Sequence, residues 1–377
     1  MAEAPHGRPT LCCIDHDALR WNLRQVRGKV GAQVKILSMV KADGYGHGAA
    51  AVAQTLAAAG SDAFGVATLE EGVELRRAGV QAPIVVLAGV YPEQLQVFIE
   101  HRLTPVVHEP AGLEQLDGAA AGRGATLNVH VKIDTGMGRL GLLPAEADAW
   151  IPQLKKLRGL KIEGVFSHFS QAESVDGAYT RSQLEVFLQV LEMLRAEGIA
   201  VPLAHFANSA ATITLPAAYF DMVRPGIMLY GVYPSAEMAK QIELKPVLRW
   251  KTGILQLKKV AAGSAISYGQ TFITKRESVI ATLPVGYADG YPRLLSNRGA
   301  ALVRGVRAPV VGRVCMDLTM LDVTDIRNVR QGDEVVLLGR QGDAAISADE
   351  MAAWAETISY EILTSIGVRV PRIQQNL

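Results

Sequence analysis

Eight short apolar runs, separated by helical patterns along the first two-thirds of the chain, restrict the fold more than any other feature of this sequence. They are residues 34–40, 64–68, 84–88, 105–108, 128–133, 164–168, 204–207 and 222–225. Each ends in glycine or polar residues. Between them, residues 181–195 give the clearest helix, with Leu184, Phe187, Leu188, Leu191 and Leu194 on one face. Residues 47–59 are alanine-rich and read as helix, and Asp15 can cap a helix through Arg27. Continuous apolar strands alternating with helices call for a parallel sheet covered on both faces. Eight such units over roughly 220 residues fit a (β/α)8 barrel of TIM type, somewhat under its usual ~250.

The pattern changes near Leu244. Beyond it the segments are short, β-branched and punctuated by Gly263, Gly269, Gly299, Gly305, Gly332 and Gly342. Helical periodicity is nearly absent until Ser347-Ala348-Asp349-Glu350, a capping box that opens a late helix. The second part is therefore expected to be a mainly β domain. Residues 8–14, with Leu11, Cys12 and Ile14, read as a strand that joins it. The division is an N-terminal strand segment over 1–13, a barrel over 14–244 and a β domain over 245–377.

Composition narrows the partners. A net charge of +1 gives no pull toward nucleic acid or an anionic membrane. No apolar run reaches transmembrane length. Met1 to Thr10 contains no apolar core of a secretory signal. Cys12 and Cys13 are adjacent and only Cys315 remains, so no disulfide framework is expected and a reducing, cytoplasmic setting fits. His101 and His130 show no metal-ligand spacing, so no metal site is expected.

Active sites of such barrels lie at the C-terminal ends of the strands. The first run ends at Lys41, the fifth carries Lys132 and leads to Asp134 and Arg139, and the sixth ends at His168. The seventh leads to Asn208 and Ser209, and the eighth to Arg224, Gly226 and Ile227. A lysine after a wholly apolar run loses hydration, its pKa falls, and it becomes a nucleophile or Schiff-base partner. A lone lysine there is more often one that snorkels to water. Gly44, Gly46 and Gly48 favour the functional reading, because they let a bulky ligand approach the backbone. Backbone N–H groups near Gly226, with the Ser209 hydroxyl, can form a phosphate site; an ordinary turn after a strand is the plainer alternative. Lys132 and Asp134 share one strand face, where a structural ion pair is the plainer alternative. Arg139, in the turn that follows, is offered to an anion.

These residues stand in long motifs. Val40-Lys41-Ala42-Asp43-Gly44-Tyr45-Gly46-His47-Gly48 resembles the cofactor-lysine motif of the alanine racemase family, which uses pyridoxal 5′-phosphate (PLP). Lys132-Ile133-Asp134-Thr135-Gly136-Met137-Gly138-Arg139-Leu140-Gly141, Phe206-Ala207-Asn208-Ser209-Ala210 and Val223-Arg224-Pro225-Gly226-Ile227 resemble it too. So do Ser267-Tyr268-Gly269, Pro284-Val285-Gly286-Tyr287, Gly312-Arg313-Val314-Cys315-Met316-Asp317 and Thr357-Ile358-Ser359-Tyr360-Glu361. The resemblance covers essentially the whole chain, in the family's order. It implies a PLP-binding barrel, a β domain and a homodimer with shared active sites.

The resemblance also implies roles. Lys41 carries PLP as a Schiff base and is one catalytic base; Tyr268 of the partner subunit is the other. Tyr45, Asn208, Ser209, Gly226, Ile227 and Tyr360 belong to the phosphate end of the cofactor site. Arg224 faces the pyridine nitrogen, and His168 packs by the ring and connects Arg224 toward the tyrosine. Arg139 contacts the cofactor's phenolic oxygen and the substrate carboxylate, which also meets the backbone of Met316 of the partner subunit. Tyr287 narrows the entrance. Lys132 corresponds to a lysine that is carbamylated in many members, the carbamate holding Arg139. From the residues alone, a catalytic thiol is an alternative for Cys315, but with a tyrosine already assigned it reads as a packing residue, and His47 as a local hydrogen-bonding one.

Racemisation needs a base on each face of Cα and an electron sink, which PLP provides. An arginine only donates hydrogen bonds, so a pyridine nitrogen facing Arg224 stays unprotonated, a poorer sink that disfavours transamination. L- and D-alanine, with D-alanine destined for peptidoglycan, are the substrates the family implies. A broader amino-acid racemase is the alternative, since discrimination by a methyl group is modest. Fold-related PLP decarboxylases bind phosphate with a Gly-Gly-Gly loop and set a carboxylate at the ring nitrogen, and neither feature stands here. A PLP carrier protein resembles the barrel alone and leaves the residues after Leu244 without a purpose.

Overall fold

The computed structural model describes residues 7–174 and 177–377. Residues 1–6 of the expected N-terminal segment lie outside them. Two units emerge. The barrel unit holds Leu19–Gly44 and Ala49–Lys245; the β unit holds residues up to Ala18, Tyr45–Gly48 and Pro246–Leu377.

The expected parallel barrel is present. Its strands are β2 (Lys35–Met39), β3 (Ala63–Val66), β4 (Ile84–Val86), β5 (Thr104–Val107), β6 (Leu127–Lys132), β7 (Leu160–Phe166), β8 (Leu203–His205) and β9 (Met222–Val223). They close in sequence order, β9 returning to β2 through Lys35↔Met222 and Ile36↔Val223. The runs are apolar because both faces are covered: Ile36, Leu37, Phe64, Val66, Ile84, Val86, Val129 and Val131 are buried. β7 begins four residues before the run that announces it, because Lys161 and Glu163 interrupt the apolar pattern. Its pairing with β6 jumps from Val129↔Ile162 to His130↔Gly164, so Glu163 is the extra residue of a β-bulge.

The helix over Ala178–Ala196 buries Leu184, Phe187 and Leu194 as expected, with Val190. Leu188 is instead exposed: the buried stripe runs 183, 187, 190, 194, and Leu188 stands one step round the helix from it. The helix His16–Val30 is capped as expected, Asp15 Oδ1 accepting from the N–H groups of Asp17 and Ala18.

The β unit is built on β1 (Leu11–Asp15), β10 (Leu248–Gly253), β11 (Gln256–Val260), β12 (Ala265–Ile266), β13 (Phe272–Ile273) and β14 (Ser278–Leu283). It continues with β15 (Ala300–Val303), β16 (Val306–Pro309), β17 (Thr319–Asp322), β18 (Glu334–Gln341), β19 (Ala344–Ile346) and β20 (Arg372–Gln375). One sheet runs β16-β15-β18-β10-β1-β20, with β19 on β18; β11-β14-β17 form another and β12-β13 a hairpin. β1 thus pairs antiparallel with β10 and parallel with β20. The helix Ala348–Trp354 starts at Ser347, whose side chain accepts the Glu350 N–H. The reciprocal half of the capping box is replaced: Glu350 pairs with Arg307 at 2.5 Å.

Candidate active site

Lys41 leaves the end of β2 and opens a turn of the wrong hand. Ala42, Asp43, Gly44, Tyr45 and Gly46 have φ of 52°, 53°, 61°, 53° and 81°. Three of these are not glycine, and each left-handed L-residue costs roughly 1–2 kcal/mol. Glu71 helps hold the turn: its carboxylate accepts the Ala42 N–H at 2.7 Å and the Ala67 N–H at 2.7 Å. Gly46 is needed for space within the protein: a Cβ would lie 2.2 Å from the Leu363 carbonyl oxygen. Lys41 itself is exposed at the barrel mouth. Its ammonium pKa is lowered by partial loss of hydration and by Arg139, against Glu71.

Lys132, the last residue of β6, is 5% exposed. Burial first, then Arg139 and Arg224, bring its pKa down to about 8, against the opposing pull of Asp134. The alternative of a Lys132–Asp134 ion pair gives way to a different use of the aspartate. Asp134 Oδ1 accepts the N–H groups of Gly136, Met137 and Gly138, and Oδ2 that of Arg139. Those bonds hold its carboxyl below the usual range against burial. They shape the turn that presents Arg139, which is exposed.

Arg224 lies beyond β9, 4% exposed. Its Nη2 donates to the carbonyls of Ser167 (2.7 Å) and Phe206 (3.1 Å) and meets His168 Nδ1 at 3.3 Å. Its Nη1 meets His205 Nδ1 at 2.9 Å. Burial lowers its pKa to about 9, which leaves it cationic at neutral pH. Phe166, at the end of β7, lies 5.1 Å from this guanidinium and 5.9 Å from the Lys132 ammonium. His168 is held neutral by burial and by Arg224, Arg139, Lys132 and Lys41.

The two phosphate candidates meet: the Gly226 N–H donates to Ser209 Oγ at 2.8 Å. Ile227 is buried and opens a short helical turn over Ile227–Tyr230. Asn208 has a structural duty, its Oδ1 capping the helix Ser209–Thr214 through the Ala211 N–H.

The structure therefore brings Lys41, Lys132, Arg139 and Arg224 to one mouth, four cations whose neighbouring aspartate is spent on backbone. Such a mouth seeks an anion. The remaining expected residues lie in the β unit. Tyr45 and Tyr360 have ring centroids 6.1 Å apart, and burial, then Tyr360, raises the Tyr45 phenol well above its ordinary pKa. Tyr268 is 72% exposed and follows Ser267, whose φ is 66°. Ser267 Oγ bonds the Arg313 carbonyl and lies 3.4 Å from Cys315 Sγ, so the loops carrying Tyr268 and Met316 touch. The Met316 carbonyl accepts the Ala288 N–H, next to Tyr287. Sequence reasoning missed Glu71, Phe166, Glu163, His130 and His205. The last two were legible only as inward positions on strands, since His130 alternates with Lys132 and His205 ends β8.

A closed (β/α)8 barrel with a cationic mouth, continuous in chain with a β unit, defines the class: a barrel enzyme with its candidate site at the mouth. The chain belongs to the alanine racemase family. The family's models "Alanine racemase, N-terminal domain" and "Alanine racemase, C-terminal domain" match residues 14–234 and 247–374. The alanine racemase of Halothermothrix orenii is 51% identical over 369 residues, 98% of this chain and 97% of that protein. The alanine racemase of Bacillus anthracis, solved with bound L-Ala-P, superposes with a TM-score of 0.94 at 38% identity, over 99% of this chain and 96% of that one. The biosynthetic alanine racemase of Pseudomonas aeruginosa gives 0.89 at 37% identity, over 98% and 100%.

Proposed function

We propose that this chain interconverts L- and D-alanine with PLP, using two bases. The observation that carries this reading is the cationic mouth: a lysine of lowered pKa, a buried arginine that can only donate, and a Ser209 hydroxyl held by the Gly226 N–H. This donor set fits PLP, which bears a phosphate, a phenolic oxygen, a ring nitrogen and an aldehyde. Lys41 would hold it covalently, Arg224 would face its ring nitrogen, and Arg139 its phenolic oxygen. Tyr45, Asn208, Ser209, Gly226, Ile227 and Tyr360 would form the phosphate end, with His168 beside the ring. When bound, PLP supplies the electron sink that acidifies Cα–H.

The protein's part is proton handling on two faces. Lys41, with its pKa lowered, takes the proton from Cα on one side or returns it there. Tyr268 of the partner subunit does the same on the other, so that the barrel (14–244) of one subunit works with the β domain (245–377) of the next in a head-to-tail homodimer. Arg139 and the backbone of Met316 of the partner subunit orient the carboxylate, and Tyr287 narrows the entrance. Because Arg224 only donates, a ring nitrogen facing it would accept and stay unprotonated, which keeps the site from over-stabilising negative charge. A cytoplasmic enzyme making D-alanine for peptidoglycan is the setting this activity fits.

The experiment is a titration of purified protein with PLP, followed by absorbance, then circular dichroism after adding L-alanine, with Lys41→Ala as control. Covalent binding in the wild type only, and decay of the dichroism to zero, is the expected result. Binding without decay on alanine, but with decay on serine, would move the assignment to a broader racemase. No binding at all would overturn it.

A further inference from the structure

Behind Arg224 runs a chain of side chains through the barrel interior. Arg224 Nη1 lies 2.9 Å from His205 Nδ1, His205 Nε2 lies 2.9 Å from His130 Nδ1, and His130 Nε2 lies 3.8 Å from Glu163 Oε2. His205 and His130 are 0% and 1% exposed. Their protons are fixed by chemistry. Arginine has no acceptor, so His205 Nδ1 accepts, and its proton sits on Nε2. That N–H meets His130 Nδ1, which must accept in turn, leaving the His130 proton on Nε2, aimed at the Glu163 carboxylate. Any other arrangement of neutral rings sets N–H against N–H.

The backbone is shaped to this chain. The bulge in β7 inserts Glu163 where regular pairing would have none. Its neighbour Gly164 clears the ring: a Cβ there would lie 2.7 Å from His130 Nδ1. Phe166 stacks on His205 at 4.7 Å and 6°, fixing the second ring. Burial, then Arg224 and His130, hold His205 neutral. At the far end Glu163 faces His130, Thr104 and Lys35, and His130 holds its carboxyl below the usual range against burial. Glu163 also lines a cleft of about 460 Å3 with Arg76, Arg102 and Thr104, near the N-terminal ends of β5 and β6.

We propose that Glu163 is a positioning residue: through the single-tautomer relay His130–His205 it orients and polarises the Arg224 guanidinium, and so sets how firmly Arg224 donates to what it faces. A carboxylate at one end of the barrel thereby tunes the cation at the other. That what Arg224 faces is the PLP ring nitrogen rests on the function proposed above; the relay does not.

The test has two arms. In cofactor-free protein labelled with 15N-histidine, the ring shifts of His205 and His130 report their tautomers. The wild type is expected to show Nε2–H on both. Glu163→Ala should move both sets of shifts, and Glu163→Gln, which keeps an acceptor oxygen, should restore the wild-type pattern. In the second arm, Glu163→Ala weakens PLP binding at least about fivefold, as loss of a coupled interaction would. It also changes the pH dependence of the bound cofactor's absorbance, and Glu163→Gln recovers most of both. A merely structural Glu163 would lower the melting temperature of both variants and leave the His205 ring shifts alone. Unchanged His205 shifts in Glu163→Ala overturn the proposal. Wild-type protein that shows the tautomers but binds no PLP overturns the proposed function instead. Should Glu163→Ala not fold, His130→Phe breaks the same chain at similar volume and is read in the same way on His205.

Discussion

Lys132 shows what a single residue gains from crowding. Water would keep its amine protonated to a pKa of 10.5; burial beside two guanidinium groups brings this to about 8. The sign matters: a lowered lysine pKa means that a growing share is neutral as pH rises toward 8, and only the neutral amine adds CO2. The product is a carbamate anion plus a released proton, and the anion would meet the Arg139 guanidinium, which helps lower the amine's pKa. The expected outcome is a 13C carbonyl signal on protein held in labelled bicarbonate, strengthening toward pH 8, lost on acidification and absent in Lys132→Arg. Absence of label at every pH would leave Lys132 a bare amine. At this scale the positions of Lys41, Arg139 and Arg224 were legible, because each ends or follows an apolar run. The alternative of an Asp134–Lys132 pair carried strand alternation two residues too far: the strand stops at Lys132, and the aspartate belongs to the turn. Glu163 gave no signal at all, since it reads as a polar residue just before an apolar run.

Elements were legible in kind and less so in detail. The eight runs correspond to eight strands, but β7 starts early because a bulge hides its period, and the long helix turns Leu188 outward. The capping box at Ser347 is half made, and its two residues should therefore separate in mutagenesis. Ser347→Ala removes the acceptor for the Glu350 N–H and should cost about 1 kcal/mol, read as a lower urea midpoint. Glu350→Ala should leave that cap intact and lose only the exposed pair with Arg307, at most about 1 kcal/mol. Equal losses in the two variants would mean that the reciprocal bond forms in solution.

For the whole molecule, closure of a barrel could be foreseen from chain order, whereas assembly could not, because nothing in hydrophobic periodicity records a second copy. Among the described residues, no helix is long and apolar enough to cross a membrane. The β unit leaves Tyr268, Met316, Ile273, Leu294 and Ile358 exposed. The proposed sharing of sites makes a quantitative claim. Lys41→Ala and Tyr268→Phe proteins should each be inactive, yet refolding an equal mixture should restore about a quarter of the sites, because half the dimers are mixed and each has one intact pair. No recovery on mixing, with both proteins dimeric, would place both bases within one subunit.

The turn after Lys41 has one more implication. At positions 42 and 43 the backbone occupies the territory of mirror-image amino acids, and it does so next to the proposed base of a reaction whose product is a mirror-image amino acid. For those two links of the chain the ordinary enantiomer is the misfit, and a chain synthesised with the D form there would relax where the natural one is strained.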